Sequence, residues 1–482
     1  MTMRLSSTIR FFPSGPRQLR EENPCWFAAL VGGVLLTGAV CQVRGATITE
    51  VHAFENKFNP SSLLQTDDGS FYGTIAGATN SGMVFRIASD GSLTSFAEFN
   101  GTNGYPFQGG PLVRGLDGNF YGTTFAGGTN VFCRGTIFRL ATNGILTGLV
   151  SFNGTNGWQP EAGLVLGSDG DFYGTTAYGG KSYKRTMGSP LTVPGTVFKI
   201  SVDGQFTNLV SFNRTNGASP SARLVEGRDG SFYGTTVAGG TSEAGTAFQM
   251  KPDGALRTLT VFNGANGANP YGGLVLGSDG NLYGTTAHGG ANGYGTVFQM
   301  TTNGLLTTLA SFNGSNGAYP FSGLVRCTDG ILYGTTQYGG TGYDGSINTG
   351  YGAVFGITPT GVFTTLALFD GSHGAHSLSE LIQGADGNLY GTTYGGGSHG
   401  AGNVFRVDVP LALHVAPQVG EKFMFTWNAI TGRIYQLQFK SEIIQTNWND
   451  VGGALTATNP VATATDPMAT DPQRFYRVIQ VR

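Results

Sequence analysis

At 482 residues the chain is long enough for several domains or one large repeat array, and its 39% apolar and 12% aromatic content is ample for a buried core. Its 80 glycines follow no Gly-X-Y period and stand beside 33 Phe and 19 Tyr, which points to many tight turns and excludes collagen and disorder. A formal charge of −2 excludes a generally basic nucleic-acid binder and gives an anionic membrane surface little to attract.

The first segment reads as targeting. Arg4, Arg10, Arg17 and Arg20 precede an apolar run from Trp26 to Cys41, with small residues following at Gly45 and Ala46. Sixteen residues suit a signal-peptide core better than a spanning helix, which needs about 20. Residues 1–45 are therefore expected to be a signal peptide, cleaved between Cys41 and Ala46. Glu21 and Glu22 leave an uncleaved anchor open, and Cys41 a lipoprotein, although Val40 sits where a small residue is wanted. The mature chain then holds 22 basic and 27 acidic residues. Its two cysteines, Cys133 and Cys327, are too few and too far apart for a disulfide scaffold, so stability has to come from packing.

From residue 46 a unit of roughly 50 residues recurs. Tyr-Gly-Thr elements begin at Tyr72, Tyr121, Tyr173, Tyr233, Tyr283, Tyr333 and Tyr390, each four residues after the Asp of an Asp-Gly pair. An apolar segment ending in Phe follows, from Phe85 in the first repeat to Phe405 in the last. A second turn comes next, then a run such as Leu306 to Phe312, then an Asn-Gly-x-Asn-Gly loop. Each repeat offers four short strands and no helical period. In the sixth repeat strand a is 323–326, strand b 332–336, strand c 353–357 and strand d 363–369. The a–b and c–d links are Asp-Gly or Asn-Gly pairs, which accept the positive φ of tight hairpin turns. Such units are the sequence picture of propeller blades.

Spacing separates frame from loop. The c-strand Phe to the d-strand Phe is 14 residues every time, whereas the Tyr of strand b to the Phe of strand c varies from 13 to 25. Length variation thus gathers in the b–c link, which in a propeller shares one face with the d–a link. That is the expected binding face. The array ends on a c strand, 403–409, and begins with an orphan d strand, 48–54. Pairing them would complete a seventh blade and remove two exposed edges, whereas the other reading, a β-solenoid, needs no complementary ends.

The motifs Gly-Leu-Val, Asp-Gly-x-Leu/Phe-Tyr-Gly-Thr-Thr-x-x-Gly-Gly, Gly-Thr-Val-Phe and Ser-Phe-Asn-Gly resemble the repeat of the GloVer tandem-repeat proteins, a secreted bacterial family. Gly273-Leu274-Val275 through Phe298 is the clearest copy, and the resemblance covers about residues 48–409. It implies a β-propeller-like fold and carries no catalytic residues. The first repeat departs from it, with Ile75 for the second Thr. After Pro410 the repeat stops, and 410–482 reads as a small fibronectin-type-III-like sandwich on Trp427, Tyr435 and Tyr476. The fold class is therefore all-β: a seven-bladed propeller over 46–409, its last blade closed by the N-terminal strand, with a C-terminal sandwich.

The Asp of each Asp-Gly pair is read as a turn former, and the Tyr of Tyr-Gly-Thr as packing between blades. Asn100, Asn153, Asn213 and Asn313 match a glycosylation sequon but fall in one repeated turn. His373 and His376 in the last d–a loop and His399 in the last b–c loop are read as solvated, a metal site being the alternative. No zinc spacing, nucleophile elbow or phosphate loop occurs, so no catalytic residue, metal or cofactor is implied. Between Thr-Thr and Gly-Gly, variable side chains stand on the fixed frame. Tyr178, His288, Tyr338 and Tyr394 are the candidate ligand-binding residues, with Tyr183, Tyr343 and Tyr351 added by longer loops. The expected protein is a monomeric, non-catalytic propeller, secreted, periplasmic or on the cell surface. It would bind an extracellular glycan or protein and neither nucleic acid nor, after signal cleavage, the membrane. The alternative is a polysaccharide-active hydrolase or lyase on the same scaffold.

Overall fold

The computed structural model describes residues 27–30, 46–55, 60–77, 81–88, 90–106, 110–129, 133–181, 194–409, 413–417, 423–429, 432–442, 445–459, 461–466 and 473–481. Among these every regular element is a strand, and the architecture is repeated four-stranded antiparallel sheets in the order a-b-c-d. In the fourth repeat the strands are Val225–Glu226, Phe232–Thr236, Thr246–Met250 and Leu256–Val261. The sixth keeps strands b and c as read, but strand a shrinks to Val325–Arg326 and strand d ends at Leu368. The seventh consists of Ile382–Gln383, Leu389–Thr392 and Asn403–Val407, and its outer strand is Ile48–Ala53 from the other end of the array. Ile48 pairs with Val407 and Ala53 with Asn403.

Burial explains why the sequence builds this unit. Strand b is buried on both faces, so its apolar and hydroxyl residues run without polar alternation. Its glycine is required by the neighbouring strand: a Cβ on Gly284 would stand 2.7 Å from the Phe298 ring, which lies across it. Strand c is buried except at one position, where a long polar side chain (Lys199, Gln249 or Gln299) pairs across from the Tyr of strand b. That Tyr turns its hydroxyl back onto its own turn, Tyr283 donating to Asp279 at 2.7 Å while the same carboxylate accepts the Asn281 amide at 3.1 Å.

Sheets meet through one repeated contact. The d-strand Phe of each sheet packs edge-on or tilted on the c-strand Phe of the next, at 5.2 Å for Phe99–Phe138, 5.3 Å for Phe212–Phe248 and 5.0 Å for Phe369–Phe405. The sheet that holds the N-terminal strand places Phe54 on Phe85 of the first repeat at 5.7 Å. Tyr rings add a second layer, Tyr173 stacking on Phe232 at 3.9 Å and Tyr390 lying 4.5 Å from Phe71. The Tyr of Tyr-Gly-Thr therefore packs between sheets.

Beyond the repeats two further sheets share one core. Leu413–Pro417, Phe423–Asn428 and Val461–Asp466 form the first, and Ile434–Lys440, Gln473–Val481 and two short strands the second. Trp427, Tyr435 and Tyr476 are all in that core. The strand Phe27–Leu30, inside the apolar run read as a signal peptide, pairs antiparallel with Gln473–Tyr476, adding to an edge that backbone hydrogen bonding leaves available. The expected cleavage point at 41–46, up to Gly45, lies outside the described residues, as does Tyr183.

Candidate functional site

The b–c and d–a links of each repeat are tied together on one face. The residue after the Asn-Gly-x-Asn-Gly loop bridges to the residue two beyond Thr-Thr: Trp158 to Tyr178, Ala268 to His288, Ala318 to Tyr338 and Ala375 to Gly395. The two threonines divide the work. The second donates to the main-chain oxygen of the candidate residue itself, Thr176 to Tyr178 at 2.8 Å, Thr286 to His288 at 2.9 Å and Thr336 to Tyr338 at 3.0 Å. The first reaches into the next repeat, Thr175 donating to Ala222 O at 3.2 Å and Thr285 to Ser322 O at 2.8 Å. Thr392 of the last repeat donates in the same way to Ser61 O, at 3.2 Å. The Gly-Gly pair then turns the chain with positive φ, and a Cβ on Gly289 (φ 77°) would strike Gly264 O at 2.4 Å.

The acceptors of the first threonines line a cavity of about 430 Å³. Each repeat contributes the stretch just before strand a, where Ser62, Pro111, Gly163, Arg223, Gly273, Gly323 and Glu380 occupy equivalent positions in the cavity wall. All but two of these are small. Arg223 and Glu380 form an ion pair at 3.4 Å in the cavity wall. Two residues earlier in their repeats stand Glu161, Tyr271, Phe321 and Leu378. Glu161 is half-buried in the cavity wall, and desolvation pushes its carboxyl above the usual range.

Of the four candidate residues one, Tyr394, is in the wall of this cavity, and the other three stand outside it. Tyr394 is 44% exposed and lines it directly. His288 is exposed and lies 5.0 Å from the Tyr319 ring and 6.4 Å from Phe321. Burial lowers its pKa. Tyr338 packs between Tyr319 at 6.1 Å and His376 at 4.9 Å, and Phe321 meets Tyr271 at 4.9 Å. An unbroken run of ring contacts therefore leads from Tyr338 through Tyr319, His288 and Phe321 to Tyr271 inside the cavity. Tyr178 is on the other flank, 5.9 Å from Trp158, its hydroxyl pKa raised by burial and by the charge of Glu161. Tyr343 joins the rim by donating to the Tyr294 hydroxyl at 2.9 Å, and Tyr351 is exposed.

Sequence reading missed Glu161, Tyr271, Phe321 and Tyr319. Tyr319 holds φ 55°, as do Gln159, Ser219 and Asn269 at the same place in their repeats. That conformation is uncommon for a bulky residue and is held here by bonds on both sides, Tyr319 N to Tyr294 O and Gln337 N to Tyr319 O. The available signal was a side chain that varies at a fixed place, two residues beyond this one. His373 bonds the Asp370 carboxylate at 2.9 Å and His376 approaches Gln337 O at 3.1 Å. Among the described residues no three His, Cys, Asp or Glu side chains are grouped to hold a metal ion.

No curated protein matches the chain. Among solved structures, a candidate 6-phosphogluconolactonase of Bacteroides fragilis is 14% identical, with a TM-score of 0.42 over 86% of this chain and 99% of that one. A candidate 6-phosphogluconolactonase of Bacteroides uniformis is 13% identical, with a TM-score of 0.40 over 85% and 100%. A candidate gluconolactonase is 14% identical, with a TM-score of 0.40 over 76% and 92%. None of these lends the chain its chemistry. Residues 59–189 match the family described as the Gloeobacter/Verrucomicrobia repeat, and the unit it describes recurs along the chain as successive four-stranded sheets. The chain is thus built of repeated four-stranded sheets, and its residues 59–189 match the Gloeobacter/Verrucomicrobia repeat.

Proposed function

We propose that the chain is a closed, seven-bladed, non-catalytic β-propeller, exported with loss of residues 1–45, that binds an extracellular glycan or peptide. The binding surface is the face carrying the b–c and d–a links. Closure is supported by the Phe contact between consecutive sheets, which is made again between Phe54 and Phe85, and by Thr392 reaching Ser61 as its counterparts reach the next repeat. Residues 410–482 form a fibronectin-type-III-like sandwich in this reading, supported by two sheets around one core.

The observation that carries the binding function is the run of rings from half-buried Tyr338 through buried Tyr319 and exposed His288 to Phe321 and Tyr271 in the cavity wall. Rigidly held aromatic faces bury sugar or peptide surface at little entropic cost, and a few polar groups then fix orientation. The test is a glycan and peptide array probed with the mature protein, followed by titration of each hit and an assay of its turnover. Stable binding without conversion is expected. Conversion of a hit at enzymatic rates would replace this reading with a polysaccharide-active enzyme on the same scaffold.

A further inference from the structure

Among the equivalent wall positions of the cavity, two carry opposite charges where the others are small. Glu380, from the last repeat, lies over glycines of its neighbours: Cβ atoms on Gly323 and Gly273 would stand 2.6 and 3.1 Å from its Oε1. Its Oε2 meets Nη2 of Arg223, from the fourth repeat, at 3.4 Å. The main chain of Glu380 is anchored separately, its amide donating to the Ser62 hydroxyl at 2.9 Å. The carboxylate is thus led over two bare backbones to a guanidinium three repeats away. Among the described residues that contact is the only ionic or hydrogen-bonding one of either side chain. A guanidinium has several N–H donors and a carboxylate several acceptor sites, so most of the capacity of both is unused beside the cavity. The Arg223 side chain is 42% exposed, which leaves it open to a ligand.

We infer that Arg223 and Glu380 read two neighbouring hydroxyls, so that the cavity takes one unit of a neutral saccharide. This rests on the binding role proposed above and chooses glycan over peptide. A sugar hydroxyl both donates and accepts. One of two adjacent hydroxyls can therefore donate to Glu380 while the other accepts from Arg223, without parting the pair. Tyr271 and Phe321, two residues before Gly273 and Gly323, lie in the same wall with their rings 4.9 Å apart, and offer apolar faces to the C–H side of the sugar. The cavity volume of about 430 Å³ is of the size that ligand sites have. All seven repeats contribute to the wall, so the cavity encloses a compact unit and does not seat an extended chain along a groove. A polyhydroxylated ring meets that shape, and an extended peptide does not.

Charged ligands fit the wall less well. A uronate would reach Arg223 only by displacing Glu380, and would bring its own charge beside the carboxyls of Glu380 and Glu161. An ammonium would have to draw Glu380 from Arg223 and leave the guanidinium unpaired. A neutral diol keeps the pair and adds a charge-assisted bond to each half. A site built to bond a hydroxyl also rejects an analogue that lacks it, because the polar groups of the site are then left without a partner.

The experiment uses the full exported chain and linear oligomers of glucose, mannose, galactose and xylose. Each is set beside a deoxy counterpart that lacks one of two neighbouring hydroxyls, and glucuronate and glucosamine oligomers of equal length complete the panel. Calorimetric titration is expected to show a neutral oligomer binding at least tenfold tighter than its deoxy counterpart and than either charged oligomer. The double variant Arg223→Met with Glu380→Met removes both charges together and is checked for an unchanged thermal midpoint. In it the preference for the complete diol should vanish while the deoxy counterpart binds as before. Glu380→Gln keeps the fit against Gly323 and Gly273, should lose at least threefold of that preference, and decides the matter if the double variant does not fold. Equal affinity for diol and deoxy oligomers, or a preference that survives in a folded variant, overturns the inference and leaves the binding face standing. So does tighter binding of a charged oligomer, or binding of array peptides alone. If neither saccharide nor peptide binds, the face reading falls and this inference with it.

Discussion

The Asp-Gly and Tyr-Gly-Thr motifs are one device at the residue scale. In the fifth repeat Asp279 accepts the Tyr283 hydroxyl and the Asn281 amide, and Gln299 Nε2 donates to Tyr283 at 2.7 Å. Burial would raise the Asp279 pKa, but these bonds outweigh it and hold the carboxyl below its usual range. In the sixth repeat the strand-c partner of the Tyr is Gly356, which has no side chain to offer. There burial wins, and the Asp329 pKa is raised despite the bond from Tyr333 at 2.7 Å. The two should act oppositely on stability. Asp279 contributes stability that is present above the usual carboxylate pKa and lost as pH falls through its lower folded value. Asp329 is a burden once ionised, and stability returns as pH falls through its raised value. A carboxyl-detected NMR titration should find the Asp279 midpoint below about 3.9 and the Asp329 midpoint above it; the reverse order would show that the brace does not set these charges. Replacing Tyr283 with Phe removes a charge-assisted bond from a buried ring and should cost about 1–2 kcal/mol at neutral pH. The cost should shrink in acid as Asp279 protonates, which chemical denaturation at two pH values would measure.

Strands b and c were legible at the element scale because the turn residues flanking them are fixed and the Phe of strand c recurs. Strand a was not. The four residues expected at 323–326 contract to two because Gly323 leaves the ladder to line the cavity under Glu380. Nothing local in the sequence marks that. The cavity wall was illegible for the same reason, being assembled from seven stretches some 50 residues apart that meet only in the fold. The strand Phe27–Leu30 also went unread, since an apolar run looks alike as a leader and as an edge strand. The outer strand of the seventh sheet, by contrast, was readable as the deficit of a d strand at one end and its surplus at the other. Its register is fixed by more than backbone pairing: Glu50 accepts the Ser398 amide at 3.0 Å, the Ser398 hydroxyl at 2.7 Å and Asn403 Nδ2 at 3.0 Å. Burial works against this carboxylate, yet the bonds lower its pKa. Deleting residues 46–54 exposes an edge and removes the buried side chains Ile48 and Phe54, for an expected loss of about 3–6 kcal/mol. A synthetic peptide of the deleted sequence should restore part of the thermal midpoint. An unchanged midpoint after deletion would mean that the repeat array does not depend on this strand and would count against the proposed closure. Glu50→Gln should cost about 1 kcal/mol at neutral pH, and progressively less as pH falls through the lowered folded pKa of the wild-type carboxyl.

For the whole molecule, the decisive asymmetry is between two faces. The a–b and c–d turns are short and braced by their own Asp or Asn, as at Asp279 and Asn281. The b–c links vary in length while the d–a links stay nearly constant, and both carry the rings. Insertions there are tolerated because loop entropy grows slowly with length once the frame is fixed. The frame is fixed by threonine hydroxyls donating to main-chain oxygens, Thr286 to His288 O and Thr175 to Ala222 O, and these bonds do not involve the candidate side chains. Tyr178, His288, Tyr338 and Tyr394 can thus be truncated without removing what holds their backbone. Changing all four to Ala should leave the thermal midpoint within a few degrees and weaken a ligand found on the array at least tenfold, about 1.4 kcal/mol. Trp158, Tyr319 and Phe321 would remain and should retain a residual affinity, since they supply the other half of several ring contacts. Adding Phe321→Ala and Tyr271→Ala should then remove most of what is left. Binding that survives the fourfold change, but is lost when Asp279 and Asp229 are altered in a still-folded protein, would place the ligand on the turn face instead.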